Sequence, residues 1–155
     1  MSFGVGRAAV AAALVLSASC ARPGAQLRPL RLSPEQAVMN AATSAEGVSG
    51  TFEMVVRTTG RQGGFLYLNS ELDYRDQRNL TIEVSAAVEQ ALETRFQAPV
   101  EMSLRGKVVA VRGTARKVRI DFTQDGRPTG KYYYQTHVRL GSARSLTVEG
   151  ERPVA

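Results

Sequence analysis

An all-β fold with small helical additions is the class this sequence predicts, on three observations. Apolar and polar residues alternate with period two through residues 50–70, 80–84, 106–120 and 131–140, the pattern of half-buried strands. Glycine-rich or Asp-Gly turns, at residues 59–64 and at Asp125-Gly126, separate such runs. Only two short windows, 33–45 and 86–94, carry helix signals.

In chain order, residues 1–19 read as an export signal. Arg7 gives a short positive start, and residues 8–16 (AAVAAALVL) form an apolar run. That run is too short to cross a bilayer of ~30 Å, which needs about 20 residues. Small residues then lead into Cys20, the single cysteine of the chain. One thiol cannot make an internal disulfide, and lipidation would remove the liability of a free thiol in an oxidising compartment. The segment Leu16-Ser17-Ala18-Ser19-Cys20 resembles the lipobox of bacterial lipoproteins, with Ser17 where that family prefers Leu. The resemblance implies a Cys20 lipid anchor and an exported, periplasmic, membrane-tethered protein. Ordinary signal-peptidase cleavage after Ala21 is the rival. Removing residues 1–19 takes away Arg7 and no acidic group, so the formal charge of +6 becomes +5. A domain that basic is drawn to anionic partners.

Residues 20–32, with two prolines and three arginines, suit an extended tether. The folded domain is expected over 33–148, with 149–155 a flexible tail. Ser33-Pro34-Glu35-Gln36 carries an N-cap, a first-turn proline and a capping-box glutamine, opening a helix whose apolar stripe is Ala37, Val38, Ala41 and Ala42. Residues 50–56 and 65–69 then read as a hairpin around the basic glycine turn 59–64. A polar loop, 70–79, and a strand, 80–84, follow. Ser85 caps a helix over 86–94 with Val88, Ala91 and Leu92 on one face, and Pro99 blocks its continuation. Gly113 interrupts the long strand 106–120, where a bulge or bend is expected. Strand 131–140 is the fifth, and residues 146–148 offer a short edge strand. Five strands with a helix between the third and fourth is the order of a five-stranded OB-fold Greek-key barrel.

Residues 50–84 with 106–119 resemble the exported bacterial single-domain OB proteins of tRNA-anticodon-binding type, through Phe65-Leu66-Tyr67-Leu68-Asn69 and Leu104-Arg105-Gly106-Lys107-Val108-Val109-Ala110-Val111-Arg112-Gly113. The resemblance implies an OB domain that binds a partner on the face of its second and third strands.

Catalytic constellations are sparse. His137 is the only histidine, so no transition-metal ligand set exists, and no P-loop, G-x-S-x-G or dinucleotide fingerprint occurs. No cofactor or metal is expected, and the chain reads as a monomeric non-enzyme. Glu71, Asp73 and Asp76 could hold a divalent cation for phosphodiester cleavage, or with Arg75 and Arg78 form a self-paired loop. Binding chemistry is richer. Candidate ligand residues are Arg57, Arg61, Phe65, Tyr67, Asn69, Tyr74, Arg75 and Arg112. Alternation leaves open whether Phe65 and Tyr67, or Leu66 and Leu68, face the core. Tyr132, Tyr133 and Tyr134 must place at least one ring on each face of their strand, and Arg105, Lys107, Arg112, Arg116, Lys117 and Arg119 make a basic run. The expected function is a binding module on the cell envelope, taking an anionic ligand or an envelope protein through the first hairpin and the following loop. Single-stranded nucleic-acid binding is the alternative, and metal-dependent phosphodiester cleavage by Asp73 and Asp76 a third reading.

Overall fold

The computed structural model describes Met1 and residues 30–149. Residues 2–19 of the expected signal, Cys20 and the tether up to residue 29, and 150–155 of the tail lie outside the described residues. The first element among the described residues is β1 (Arg31–Leu32), inside the stretch expected as tether, which pairs in parallel with β2 (Val48–Val55). Arg31 binds the Glu53 carboxylate and, at 2.7 Å, that of Glu149, so it ties β1 to β2 and to the residue that follows the last strand. Helix α1 (Pro34–Ala42) opens on the capping box: Gln36 N donates to Ser33 Oγ at 3.3 Å and Ser33 N to Gln36 Oε1 at 2.9 Å. Its buried stripe is narrower than expected, with Ala37 and Ala41 inside, Val38 half-buried and Ala42 exposed.

The expected hairpin between 50–56 and 65–69 does not form. Instead β2 runs antiparallel to β6 (Val108–Gln124), while a separate strand, β3 (Thr58–Gln62), pairs with β4 (Phe65–Asn69) around Gly63 and Gly64, both at positive φ. Arg61, expected in a turn, therefore lies in a strand. The handover is at Val56 and Arg57. Val56 N donates to Lys107 O at 3.0 Å, and Arg57 N to Asn69 O at 2.9 Å. One continuous stretch thus serves strands near both ends of the sheet, as a tightly coiled small sheet requires.

From β4 the order passes to β5 (Leu80–Ser85), which pairs antiparallel with β4 and parallel with β7 (Arg127–Arg139). Between β5 and β6 lie α2 (Ala86–Phe96) and α3 (Val100–Leu104). On α2, Leu92 is buried and Val88 and Phe96 pack beside it at four-residue spacing, whereas Ala91 is exposed, so that part of the expected stripe is wrong. α2 ends at Phe96, where Gln97 turns left-handed at a φ of 55°, and Pro99, expected to block its continuation, stands two residues further on as the N-cap of the unexpected α3. A single 3₁₀ turn (Ala143–Ser145) precedes β8 (Leu146–Val148), which pairs with β6. The result is predominantly β with a few helices, consistent with an OB-like fold. The sheet has eight strands along an open path, β1-β2-β6-β7-β5-β4-β3 with β8 beside β6, rather than five. Beyond the five are β8, the short edge strand expected at 146–148, and the unexpected β1 and β3.

The bulge expected at Gly113 is also corrected. The β2–β6 register runs unbroken through Gly50 opposite Gly113, and the irregularity lies between Asp121 and Thr123. Glycine at 113 serves close packing: a Cβ there would sit 2.6 Å from Val138 Cγ1, a fully buried atom neighbourhood. Gly113→Ala should therefore cost about 1–3 kcal/mol in urea denaturation. The β6–β7 turn is as expected, with Asp125 and Gly126 at φ of 51° and 75°, the mirror-image turn that matches strand twist. Leu66, Leu68, Leu80, Ile82, Val84 and Val138 fill the core between the sheet and its helices. Among the described residues no helix is long and apolar enough to cross a membrane.

Candidate binding face

Burial resolves the alternation in β4. Leu66 and Leu68 are fully buried, so Phe65 and Tyr67 stand half-buried on the opposite face, their ring centroids 6.3 Å apart. Register then sets Gly60, Tyr67, Glu83 and Arg139 in one row across β3, β4, β5 and β7. The next row is Thr58, Asn69, Thr81, His137 and, on β6, Arg116. Alternation carries the same face along the β6–β7 arm to Gln135 opposite Val118 and Tyr133 opposite Ile120.

A cleft of about 480 Å³ opens on this face between β3, the loop 70–79 and the arm. Tyr67, Tyr74, Tyr133, Ile120 and Leu72 give it apolar surface, and Thr58, Asn69, Thr81, Gln135 and His137 give it polar groups. A hydrogen-bonded chain ties its floor together. His137 Nδ1 is 2.8 Å from Glu83 Oε1 and its Nε2 is 2.7 Å from Gln135 Oε1. Gln135 Nε2 donates to the Tyr74 carbonyl at 3.1 Å and to Tyr133 Oη at 2.9 Å. A carbonyl only accepts, which turns the Gln135 amide oxygen toward His137, so both ring nitrogens face oxygen acceptors. Arg139 Nε donates to Glu83 Oε2 at 3.1 Å. The Tyr67 ring lies 6.1 Å from the His137 ring. Burial raises the pKa of the Tyr67 and Tyr133 phenols, leaving them neutral hydroxyls at neutral pH.

Burial also pushes the Glu83 carboxyl up, but hydrogen bonds from His137 and Arg139 outweigh it, and the group sits below its ordinary value of 4.5. A carboxylate depressed in the folded state stabilises the fold above its unfolded pKa and loses that contribution as pH falls through the folded value. Urea midpoints measured from about pH 6 down to about pH 3 should therefore drop more steeply in the native protein than in Glu83→Gln.

Of the residues singled out from sequence, Tyr67, Asn69, Tyr74 and Arg61 line this cleft. Arg61 does so with its guanidinium engaged by Glu89 and, at 2.6 Å, Glu101, both on the helical side. Those hydrogen bonds raise its pKa further, and the group is structural rather than ligand-seeking. Asn69 is only 5% exposed, covered by the loop and bound into a network with Asn79 and Thr81. Phe65 flanks the cleft beneath Arg139, whose guanidinium is 5.5 Å from the ring centroid. Arg75 lies at the rim, 4.5 Å over the Tyr74 ring. Arg57 faces a separate depression beside Glu35 and Glu71 and does not join the site. Arg112 lies in a second cleft, described below.

The acidic loop is a self-paired turn. Asp73 Oδ1 accepts from Arg75 N at 2.9 Å, and Asp76 caps Arg78 N while binding its guanidinium at 2.8 Å. That partner lowers the Asp76 pKa to about 2. Among the described residues no cluster of His, Cys, Asp and Glu is placed to hold a metal ion. The basic run also splits: Arg112 and Arg116 share the cleft face, while Lys117 and Arg119 cover the rings of Tyr134 and Tyr132 on the other side of the arm. Sequence reasoning missed the roles of Thr81, Gln135 and His137, which join the site only through the parallel β5–β7 pairing of distant segments.

No protein-family model and no curated protein matches the chain. Among solved structures it is similar to a chain described as an aspartyl-tRNA synthetase from Leishmania major Friedlin, at 10% identity and a TM-score of 0.44, over 88% of this chain and 24% of that one. It is likewise similar to the aspartyl tRNA synthetase from Entamoeba histolytica, at 13% identity and a TM-score of 0.47, over 90% of this chain and 26% of that one. The chain spans about a quarter of the length of each.

Proposed function

We propose that the protein is a non-catalytic module that binds single-stranded nucleic acid across the outer face of β4, β5 and β7. The observation that supports this most directly is the outward placement of Phe65 and Tyr67 beside the cleft of Tyr74, Tyr133 and His137, with the neighbouring leucines in the core. Every base has a flat face, so a row of rings binds strands with little sequence preference, each stack contributing about 1–3 kcal/mol. Arg112, Arg116 and Arg139 flank the same face and supply positive charge for the backbone. Against the phosphodiesterase reading, Asp73 accepts from Arg75 N and Asp76 is paired with Arg78 within the turn.

Anisotropy titration of labelled single-stranded oligonucleotides across a salt series tests the proposal. The logarithm of affinity should fall linearly with the logarithm of salt concentration, with a slope of about −0.7 per phosphate contacted. Absent or salt-insensitive binding would overturn it. A second reading, an anionic ligand or an envelope partner, is favoured by the signal-like residues 1–20. It predicts that polyphosphate, which has no bases, competes as well as an oligonucleotide of equal charge. Export and anchoring are proposed separately, and an intact mass of membrane-extracted protein lacking a lipid on Cys20 would refute the anchor.

A further inference from the structure

A second cleft, of about 550 Å³, lies on the same face, between β6, β7 and the turn leading into β8. Arg112, Thr114 and Arg116 line one side of it, alternating along β6, and Arg139 and Ser145 line the others. Among the described residues neither Arg112 nor Arg116 has a hydrogen-bond or ion-pair partner. Arg139 spends only its Nε on Glu83. Glu83 is the one carboxylate in the lining, so three guanidiniums less one carboxylate leave a charge of +2 with His137 counted as neutral. Guanidinium forks match phosphate oxygens in pairs, which makes such a group an oxyanion site with two unspent cations.

The charge selects among oxyanions. An internal phosphodiester carries a single negative charge, whereas a phosphate monoester carries about −1.5 to −2 near neutral pH. His137 lines both clefts, and the Tyr67 ring is 6.1 Å from it. A base stacked on Tyr67 therefore has the arginine cleft within reach of its own phosphate. We propose that the Arg112–Arg116–Arg139 cleft binds the terminal phosphate monoester of a nucleic-acid strand, whose end nucleotide stacks in the aromatic cleft. This rests on the strand-binding reading above and adds a preference for phosphorylated ends.

The test compares one single-stranded sequence carrying a 5′-phosphate, a 3′-phosphate or hydroxyls at both ends, with inorganic phosphate and a nucleoside monophosphate as small probes. One phosphorylated strand should bind at least about tenfold tighter than the hydroxyl-ended strand, the size expected from one added charge-assisted contact. Which end is preferred fixes the polarity of the bound strand. In the double variant Arg112→Gln, Arg116→Gln the ratio should approach unity; both positions are exposed, so folding is retained, and the ratio rather than the absolute affinity is the readout. Equal binding of all three strands would overturn end recognition and leave the strand-binding reading standing. An undiminished ratio in the double variant would overturn the assignment to this cleft. If no strand binds but inorganic phosphate or the monophosphate raises the melting temperature of the native protein and not of the double variant, the anion site stands and the strand reading falls.

Discussion

Leu68→Ala should destabilise the protein by about 2–5 kcal/mol, while Tyr67→Ala, one residue away, should leave stability within about 1 kcal/mol and weaken strand binding roughly 5- to 150-fold. The contrast follows from the two faces of β4. Leu68 is fully buried among the apolar side chains of the core, so truncation removes contacts on every side and leaves a cavity that the β sheet cannot collapse into. Tyr67 is half-buried over Glu83 and beside Phe65 and His137, and its loss uncovers surface that solvent already wets in part. Urea denaturation and oligonucleotide anisotropy on the same two variants measure both quantities. If Tyr67→Ala costs as much stability as Leu68→Ala and leaves affinity intact, the ring is a packing element and the aromatic face is not the binding surface.

That pair of residues also marks how far the sequence could be read. Strict alternation in Phe65-Leu66-Tyr67-Leu68-Asn69 announced a strand and two faces, but two sets of comparable apolarity gave no sign of which was inside. Burial is decided by the sheet's partners, here β5 and the helices on its inner side, which lie far along the chain. The capping box of α1 and the Asp125-Gly126 turn were legible because each depends on a few adjacent residues. The partner of β2 was not. A hairpin between adjacent runs has the shortest loop to close, yet β2 pairs with β6 because the chain coils at Val56 and Arg57 to reach both neighbours. The binding face was half legible for the same reason. Tyr67, Asn69 and Tyr74 are close in sequence, whereas Gln135 and His137 arrive through a parallel pairing that no local pattern encodes. Arg61 looked like a free turn cation, and only the tertiary fold brings Glu89 and Glu101 to it.

The loop 70–79 carries Leu72 and Tyr74 into the cleft, and the side chain that makes the most hydrogen bonds to it is Asn79, which is 1% exposed. Asn79 Nδ2 lies within hydrogen-bond distance of Asn69 Oδ1 (3.3 Å), the Tyr74 carbonyl (3.2 Å) and Thr81 Oγ1 (2.9 Å). Its Oδ1 accepts from Glu71 N at 3.1 Å and from Ser70 Oγ at 3.3 Å. Asn79→Ala should cost about 2–4 kcal/mol, since it strands the part-buried Glu71 N–H and opens a network in which buried groups depend on one another. Some partners remain served: Thr81 Oγ1 still donates to Asn69 Oδ1 and Gln135 Nε2 to the Tyr74 carbonyl, which keeps the loss below that of a fully orphaned cluster. Asn79→Asp should be no better than alanine. It keeps the acceptor for Glu71 N but turns a donor into an oxygen facing Asn69 Oδ1 and the Tyr74 carbonyl, both acceptors. Urea denaturation gives the cost, and amide hydrogen exchange should show faster opening concentrated in residues 70–79. Strand affinity should also fall, because the loop carries the Tyr74 ring into the cleft and Arg75 to its rim. If Asn79→Asp retains native stability, the Nδ2 hydrogen bonds do not hold the loop, and Tyr74 is positioned by its contact with Gln135 alone.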